Sequence, residues 1–416
     1  MTVKKLEGEE RFEAHKLFVY CFHQRVDNIE NERQKQEAET QEDWGAFDDD
    51  GKLMARIINN HYDFYLDGKT VKTGGIGGVA TYPEYRETGA IREIFKALLL
   101  EAYKNGEVLS ALFPFNHQFY RKFGYEVVPF RNEYKMHPNV LKDYHSLATE
   151  EKCEVRRWLK EDGVMDFLNV YEKFASGFNL SALRTEEMMK EHLKFEKEYI
   201  DRKFSYIFSR DGVPVAYLIF KDEFNPQAAV LKVEECAWTC RAGFNSILNF
   251  LARFSADYGS IVLPLPKGID LLKIIHAPNA YEIEKHACQH FMVRVMNVFK
   301  LFEVIRKPAD CDFTIKVEDD LIKDNNLTLR VLADKVEILA SADTTAGTAV
   351  GLTNVSKPDI ELDIRALSQL AIGCTSLDEA SLIISRKSGQ KIQKIANLQY
   401  YKSKANYGTK KKGISR

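Results

Sequence analysis

Two stretches of this sequence hold residues whose types and spacing suit chemistry. In "PEYRETGAI", Pro83 to Ile91, the run Arg86, Glu87, Thr88, Gly89, Ala90 stands where an extended segment gives way to a helical one. The free N–H groups of a helix's first turn, together with the helix dipole, form a ready anion site. A glycine there lets a phosphate group come close to the backbone. In "FPFNHQFYRKFGYEVV", Phe113 to Val128, Tyr120 offers a phenol among aromatic neighbours, and Asn116 a carboxamide suited to a turn or a polar contact. On residue type alone a tyrosine serves either as a proton donor or as amphipathic packing. His117, beside Asn116, reads as a surface turn residue. His286, Cys288 and His290 would share one face of a strand, but a fourth soft ligand is missing and no metal is assigned. Cys236 and Cys240 in "VEECAWTC" lack a second pair and read as buried small apolar side chains.

A third stretch raises a different chemistry. "KTGGIGGVATYPEYRETG" contains Gly74, Gly75, Gly77 and Gly78, and Gly75, Gly77 and Ala80 match the GxGxxA of a dinucleotide-binding turn. Such a turn follows a strand and opens directly into a helix. Here the strand-like "VAT" comes after the glycines, and Tyr82-Pro83 keeps the chain extended. The helix begins only near Gly89. Its apolar positions, Ile91, Ile94, Phe95, Leu98 and Leu99, keep helical spacing, and Asn105-Gly106 supplies the stop. The glycines therefore belong to a strand, and a phosphate group belongs at the helix start.

Three regions must position these residues. Residues 1–150 begin with the helical "ERFEAHKLFVYCF" and a polar helical arm, "NIENERQKQEAETQEDW", then alternate strands and turns, with a hairpin at Asp67-Gly68. Residues 151–290 repeat this mixed style, with a helix in "TEEMMKEHLKFEKEY" and a hairpin around Asp211-Gly212. Residues 291–416 open on the strand-like "FMVRVMNVF", and Asp363 is placed to cap a helix running through Leu367 and Leu370.

At 416 residues the chain has room for two or three domains. Hydrophobic residues at 45% supply substantial cores and exclude wholesale disorder. Lys+Arg 59 against Asp+Glu 61 argues against a dedicated nucleic-acid binder, which carries a basic excess. The segment "MTVKKLEGEERFEAHK" has no apolar signal core, and no window approaches the roughly 18 apolar residues of a membrane span. Seven scattered cysteines, an odd number, read as free thiols in a reducing compartment. The expectation is a cytoplasmic protein with neither membrane nor nucleic acid as partner.

Strand, then P-x-x-R-x-x-G, then an amphipathic helix resembles the acyl-CoA signature of the GNAT superfamily of N-acetyltransferases. Arg86 and Gly89 match the usual Q/R-x-x-G-x-G/A, while the last position is Ile91. A larger residue there is a feature of one subgroup, the enhanced intracellular survival (Eis) acetyltransferases. "FPFNHQFYRKFGYEVV" is similar to the GNAT segment with its F-Y-x-x-x-G-Y/F ending, and "FMVRVMNVF" resembles the Eis entry to its last domain. The resemblance implies an α+β protein of three domains: a GNAT catalytic domain (1–150), a second GNAT-like domain (151–290) and a sterol-carrier-protein-like domain (291–416).

The resemblance further implies acetyl-CoA as co-substrate, a primary amine as acceptor (aminoglycoside-, polyamine- or lysine-like) and direct transfer in a ternary complex. The pyrophosphate would lie on the backbone of Arg86, Glu87, Thr88, Gly89, Ala90 and Ile91. Pantetheine would run beside Val79, Ala80 and Thr81, with the small residues upstream giving it room, and Asn116 is a further contact. Tyr120 matches the family's general acid. The general base would be the C-terminal carboxylate, here that of Arg416, although Lys410, Lys411 and Lys412 stand where that family has an acidic-aromatic ending. Asp27, Glu30 or Glu39 would attract the amine. Homohexamers occur in the family, so a homo-oligomer is expected. The alternative is a non-catalytic protein with a degenerate GNAT domain that binds acyl-CoA or an apolar ligand.

Overall fold

The computed structural model describes residues 1–26, 28–38, 41–146, 152–194, 202–223, 229–275, 282–288, 291–341 and 357–373. In chain order the elements are β1 (Thr2–Lys5), α1 (Glu9–Phe22), α2 (Ile29–Ala38), β2 (Glu42–Phe47), β3 (Leu53–Leu66), β4 (Lys69–Thr81), α3 (Ala90–Lys104), β5 (Leu109–Leu112), α4 (His117–Arg121) and β6 (Glu126–Val127). Then follow β7 (Arg131–Met136), β8 (Glu154–Arg157), α5 (Met165–Ala175), α6 (Glu186–Leu193), β9 (Lys203–Arg210), β10 (Val213–Glu223), β11 (Val230–Trp238), α7 (Arg241–Ala252), β12 (Ser260–Pro266) and β13 (Ile283–Ala287). The chain closes with β14 (Met292–Val295), α8 (Val298–Val304), β15 (Asp312–Glu318), β16 (Leu327–Leu332), β17 (Val336–Ser341), β18 (Ile360–Asp363) and α9 (Ile364–Ile372). These elements form two units: residues 1–66, 70–128 and 290–416 in one, residues 67–69 and 129–289 in the other.

In the first unit, a seven-stranded sheet runs in the order β1-β2-β3-β4-β5-β14-β6. Helix α3 covers it because Ile94, Phe95, Leu98, Leu99 and Ala102 recur every three to four residues and are all buried. They join Trp44, Ile57, Ile76, Phe123 and Tyr125 in one core, where Phe95 stacks on Phe123 with ring centroids 4.1 Å apart. The strand-like "FMVRVMNVF" is strand only over Met292–Val295. Asn297 ends it by accepting from the Lys300 N–H at 2.9 Å and capping α8. That short strand joins the first sheet, with Met292 facing Leu112 of β5 on one side and Val127 of β6 on the other. The separate four-stranded sheet runs β17-β16-β15-β18. Asp363 caps α9 as its spacing predicts, accepting from the Ala366 N–H at 2.8 Å.

The second unit holds its own seven-stranded sheet, β13-β7-β12-β11-β10-β9-β8, with hairpin β9–β10 turning at Asp211-Gly212. Its core gathers Phe208, Phe220, Leu231, Phe244, Leu248 and Leu263. Helix α6 is capped by Thr185 and ends at Leu193 with Lys194 extended, and residues 195–199 of its sequence pattern lie outside the described residues.

The upstream glycines of β4 are filled by protein. A side chain at Gly74 would overlap Glu107 Oε2 and Asn59 Oδ1, and one at Gly75 would strike the Tyr62 ring. Glu107 is buried, and that desolvation raises its carboxyl above the usual range against the opposing hydrogen bonds of Asn59 and His61. Its Oε1 takes both bonds, at 3.1 and 3.0 Å, while Glu107 Oε2 and Asn59 Oδ1 have no hydrogen-bond partner among the described residues. A raised acid contributes stability below its unfolded pKa and loses it as pH rises through the folded one. Glu107→Gln supplies an N–H for the orphan Asn59 oxygen and removes the buried charge. It is expected to stabilise the protein at pH 8 by about 1–2 kcal/mol, with a smaller gain at pH 4. Thermal melts of both proteins across that pH range check this, and a gain that shrinks toward pH 8 would contradict it.

Candidate active site

Strand β4 pairs with β5 over Thr73 to Ile76: Thr73 faces Leu109, and Ile76 faces Leu112, the last residue of β5. Beyond Ile76 the residues Gly77 to Thr81 have no strand on that side among the described residues. Gly78 starts the divergence with a left-handed φ of 55°, which only glycine adopts without strain. A backbone edge is thus left open beside Val79, Ala80 and Thr81. On the opposite side Tyr82 N–H donates to Met54 O at 3.1 Å, while the Thr81 carbonyl of the same trans peptide points the other way, toward the unpaired edge, and accepts from the Cys21 thiol of α1 at 3.6 Å.

The chain then passes through Tyr82 to Arg86 and enters α3 at Gly89, whose φ is 90°. No side chain caps this helix. The Thr88 hydroxyl instead donates to Tyr85 O at 2.7 Å, so the first-turn N–H groups of Ala90, Ile91 and Arg92 are left to an outside acceptor. Arg86, Glu87 and Thr88 are exposed, and Glu87 is left-handed at φ 68°, a conformation that costs a non-glycine residue about 1–3 kcal/mol. A side chain at Gly89 would meet no protein atom within 4 Å. The loop is therefore an open cradle of backbone donors at a helix start, which fits a pyrophosphate.

Tyr120 lies on α4 and is 3% exposed. Its ring packs edge-on against Phe95, Phe115 and Phe119 at 6.2, 5.4 and 5.1 Å between centroids. Burial pushes its phenol up to about 12, so it is protonated throughout the neutral range. Among the described residues nothing hydrogen-bonds the Tyr120 hydroxyl, and that oxygen is not sealed from solvent. Val79, Ala90, Ile91 and Tyr120 all pack on the same core, which brings the open strand edge, the helix start and the phenol to one region.

The remaining sequence candidates divide. Asn116 caps α4, its Oδ1 accepting from Phe119 N–H at 3.1 Å, and His117 is the first residue of that helix. Glu30 is exposed on α2 and lies 3.9 Å from Arg33. His286 is exposed beside Glu284, whereas Cys288 is buried. Burial likewise raises the Cys236 thiol, and Cys240 is the residue before α7. Asp27, Glu39, His290, Lys410, Lys411, Lys412 and Arg416 lie outside the described residues. Arg294, a residue with no local motif around it, is fully buried in β14 beneath the turn that follows Tyr120. Its one mark in the sequence is that of a lone cation at the centre of an apolar strand.

Residues 2–128 match the family model of the acetyltransferase (GNAT) domain, and residues 295–398 that of the sterol carrier protein domain. Residues 2–128 are a GNAT acetyltransferase domain. This domain supports an acetyltransferase enzyme, and its fold implies a CoA thioester as donor. Solved structures extend the likeness over nearly the whole chain. A probable N-acyltransferase from Enterococcus faecalis V583 is 21% identical with a TM-score of 0.78, covering 97% of this chain and 96% of its own. Eis1 from Mycobacterium abscessus is 16% identical with a TM-score of 0.74, and 94% of each chain is covered. A GCN5-related N-acetyltransferase from Anabaena variabilis is 18% identical at 0.75, with 96% of each chain covered. At these identities the likeness is one of fold: GNAT domain first, sterol-carrier-like domain last. No curated protein sequence matches the chain. Among the described residues no helix is long and apolar enough to cross a membrane.

Proposed function

We propose that the GNAT domain transfers the acetyl group of acetyl-CoA to a primary amine of aminoglycoside, polyamine or lysine type, by direct attack in a ternary complex. The observation that carries this reading is the open edge of β4 leading to an uncapped helix start, with an unclaimed buried phenol on the same core. Backbone N–H groups of residues 86–91 bind the pyrophosphate. The edge at Val79, Ala80 and Thr81 takes the pantetheine in strand-like hydrogen bonds, with Asn116 nearby. An N–H near Val79 donates to the thioester oxygen as charge gathers there. The amine nitrogen forms the new C–N bond, the C–S bond breaks, and Tyr120 passes its proton to the departing sulfur. The amine's proton goes to a carboxylate, that of Arg416 by the family resemblance. We further propose that the chain carries three domains, with the first boundary near residue 128, ahead of β7 of the second sheet, rather than near 150, and the second near 290, and that the working form is a homo-oligomer.

Release of free thiol from acetyl-CoA, followed across a panel of polyamines, aminoglycosides and lysine peptides, tests the reading. Thiol should appear only when an amine is present, in equal amount to acetylated product. Tight acetyl-CoA binding without turnover on any amine would sink the catalytic claim.

A further inference from the structure

The turn after Tyr120 is held from below by a charge that the sequence hides. Phe123 N–H and Tyr125 N–H both donate to Tyr120 O, at 2.9 and 3.4 Å, and Gly124 N–H donates to Arg121 O at 3.1 Å. The backbone that carries the phenol is therefore tied to the Phe123–Tyr125 turn. Arg294 of β14 meets this turn directly: its Nη1 donates to Phe123 O at 2.8 Å. Gly124 has no side chain because a Cβ there would fall on that same nitrogen. The second prong of the guanidinium, Nη2, donates to Asp319 Oδ2 at 2.6 Å, and both side chains are completely buried.

Asp319 is itself immobilised. It accepts from Leu321 N–H at 2.9 Å, from Ile322 N–H at 3.2 Å and from Asn325 Nδ2 at 2.9 Å. Asn325 in turn donates to Met296 O at 2.9 Å, just past β14. The Asp319 loop, in the region that matches the sterol carrier domain, is thus wired through one guanidinium to the turn beneath Tyr120. This wiring is costly for stability alone. Arg294 Nε is buried with no hydrogen-bond partner among the described residues. Apolar residues of similar volume fill such sites at equal or lower free energy.

We infer that Arg294 is a positioning residue for Tyr120, fixing the phenol's height at the acyl site by holding Phe123 O against the Asp319 loop. The inference rests on the general-acid role proposed for Tyr120. Arg294 touches neither substrate nor reacting atoms, so its effect passes entirely through that residue. A displacement of about 1 Å at an acid is enough for a hundredfold loss.

A double-mutant cycle in the full chain tests it. Arg294→Met in the wild-type background should lower kcat by about 10- to 30-fold and leave the KM for acetyl-CoA within about twofold. In a Tyr120→Phe background the same change should alter kcat by less than about twofold. Equal losses in both backgrounds, or an unchanged kcat with only a lower melting temperature, would overturn the inference. If the Met variant does not fold, Arg294→Lys carries the same test. Its ammonium still neutralises Asp319 but lacks the planar fork that spans both oxygens. If Tyr120→Phe alone leaves kcat unchanged, it is the general-acid reading that fails, and the single variant reports this independently of the cycle.

Discussion

Tyr120→Phe is expected to lower kcat for acetyl transfer by about a hundredfold, within the range assigned to a positioned general acid. Acetyl-CoA should still bind, because the ring remains packed against Phe95, Phe115 and Phe119 and only the hydroxyl is lost. The fold should be indifferent too, since no hydrogen bond to that hydroxyl is broken among the described residues. The wild-type pH profile carries a second signature. With the phenol pushed up to about 12 by burial, the acid stays loaded well beyond the range in which an acceptor amine, of reference pKa about 10.4, loses its proton. The rate should therefore climb from pH 7 to 9 without an alkaline fall. Steady-state kinetics of both proteins over that range decide the matter, and a variant as fast as wild type would remove Tyr120 from the chemistry.

Gly89→Val should raise the KM for acetyl-CoA by roughly 10- to 100-fold while leaving kcat at saturation within a few-fold, a loss of ground-state binding. Two effects add. Valine at a φ of 90° is strained by about 1–2 kcal/mol, which deforms the helix start. Its Cβ also enters the space above Gly89, where no protein atom lies within 4 Å and where the pyrophosphate is proposed to sit. The protein loses no packing, so the melting temperature should fall by only a few degrees. Calorimetric titration with CoA measures the binding term apart from turnover. Undiminished affinity would place the phosphates elsewhere.

Much of this site was legible in the residues because it rests on local rules. Helix α3 follows from its apolar spacing and its stop at Asn105-Gly106, and α9 from the capping aspartate Asp363. The uncapped helix start follows from the glycine at position 89. The dinucleotide reading failed on element order, and the sheet agrees: all four glycines lie within β4. What stayed hidden depends on distant partners. Gly74 and Gly75 read as room for a ligand, yet Asn59, Tyr62 and Glu107 fill that space, and only pairing across the sheet reveals it. Asn116 carries a carboxamide equally suited to a cap and to a ligand, and the chain uses its oxygen as a cap. "FMVRVMNVF" announces a strand but not its neighbours, since strand pairing is set by contacts far apart in sequence. The role of Arg294 is hidden for the same reason, since its partners Phe123 and Asp319 are distant in sequence.

The place of β14 has a consequence for how the protein is made. Strands β5 and β6 leave the ribosome together, but the strand that bridges them follows only after residues 129–289 have been synthesised. At ordinary elongation rates that delay is roughly ten to thirty seconds. Through that interval the nascent catalytic sheet carries two raw edges that no local segment can pair, exposed to whatever extended chain is nearby. Translation order thus makes the acetyltransferase domain a client of its own carboxyl-terminal third, and a fragment ending at Val128 would emerge with its sheet unclosed.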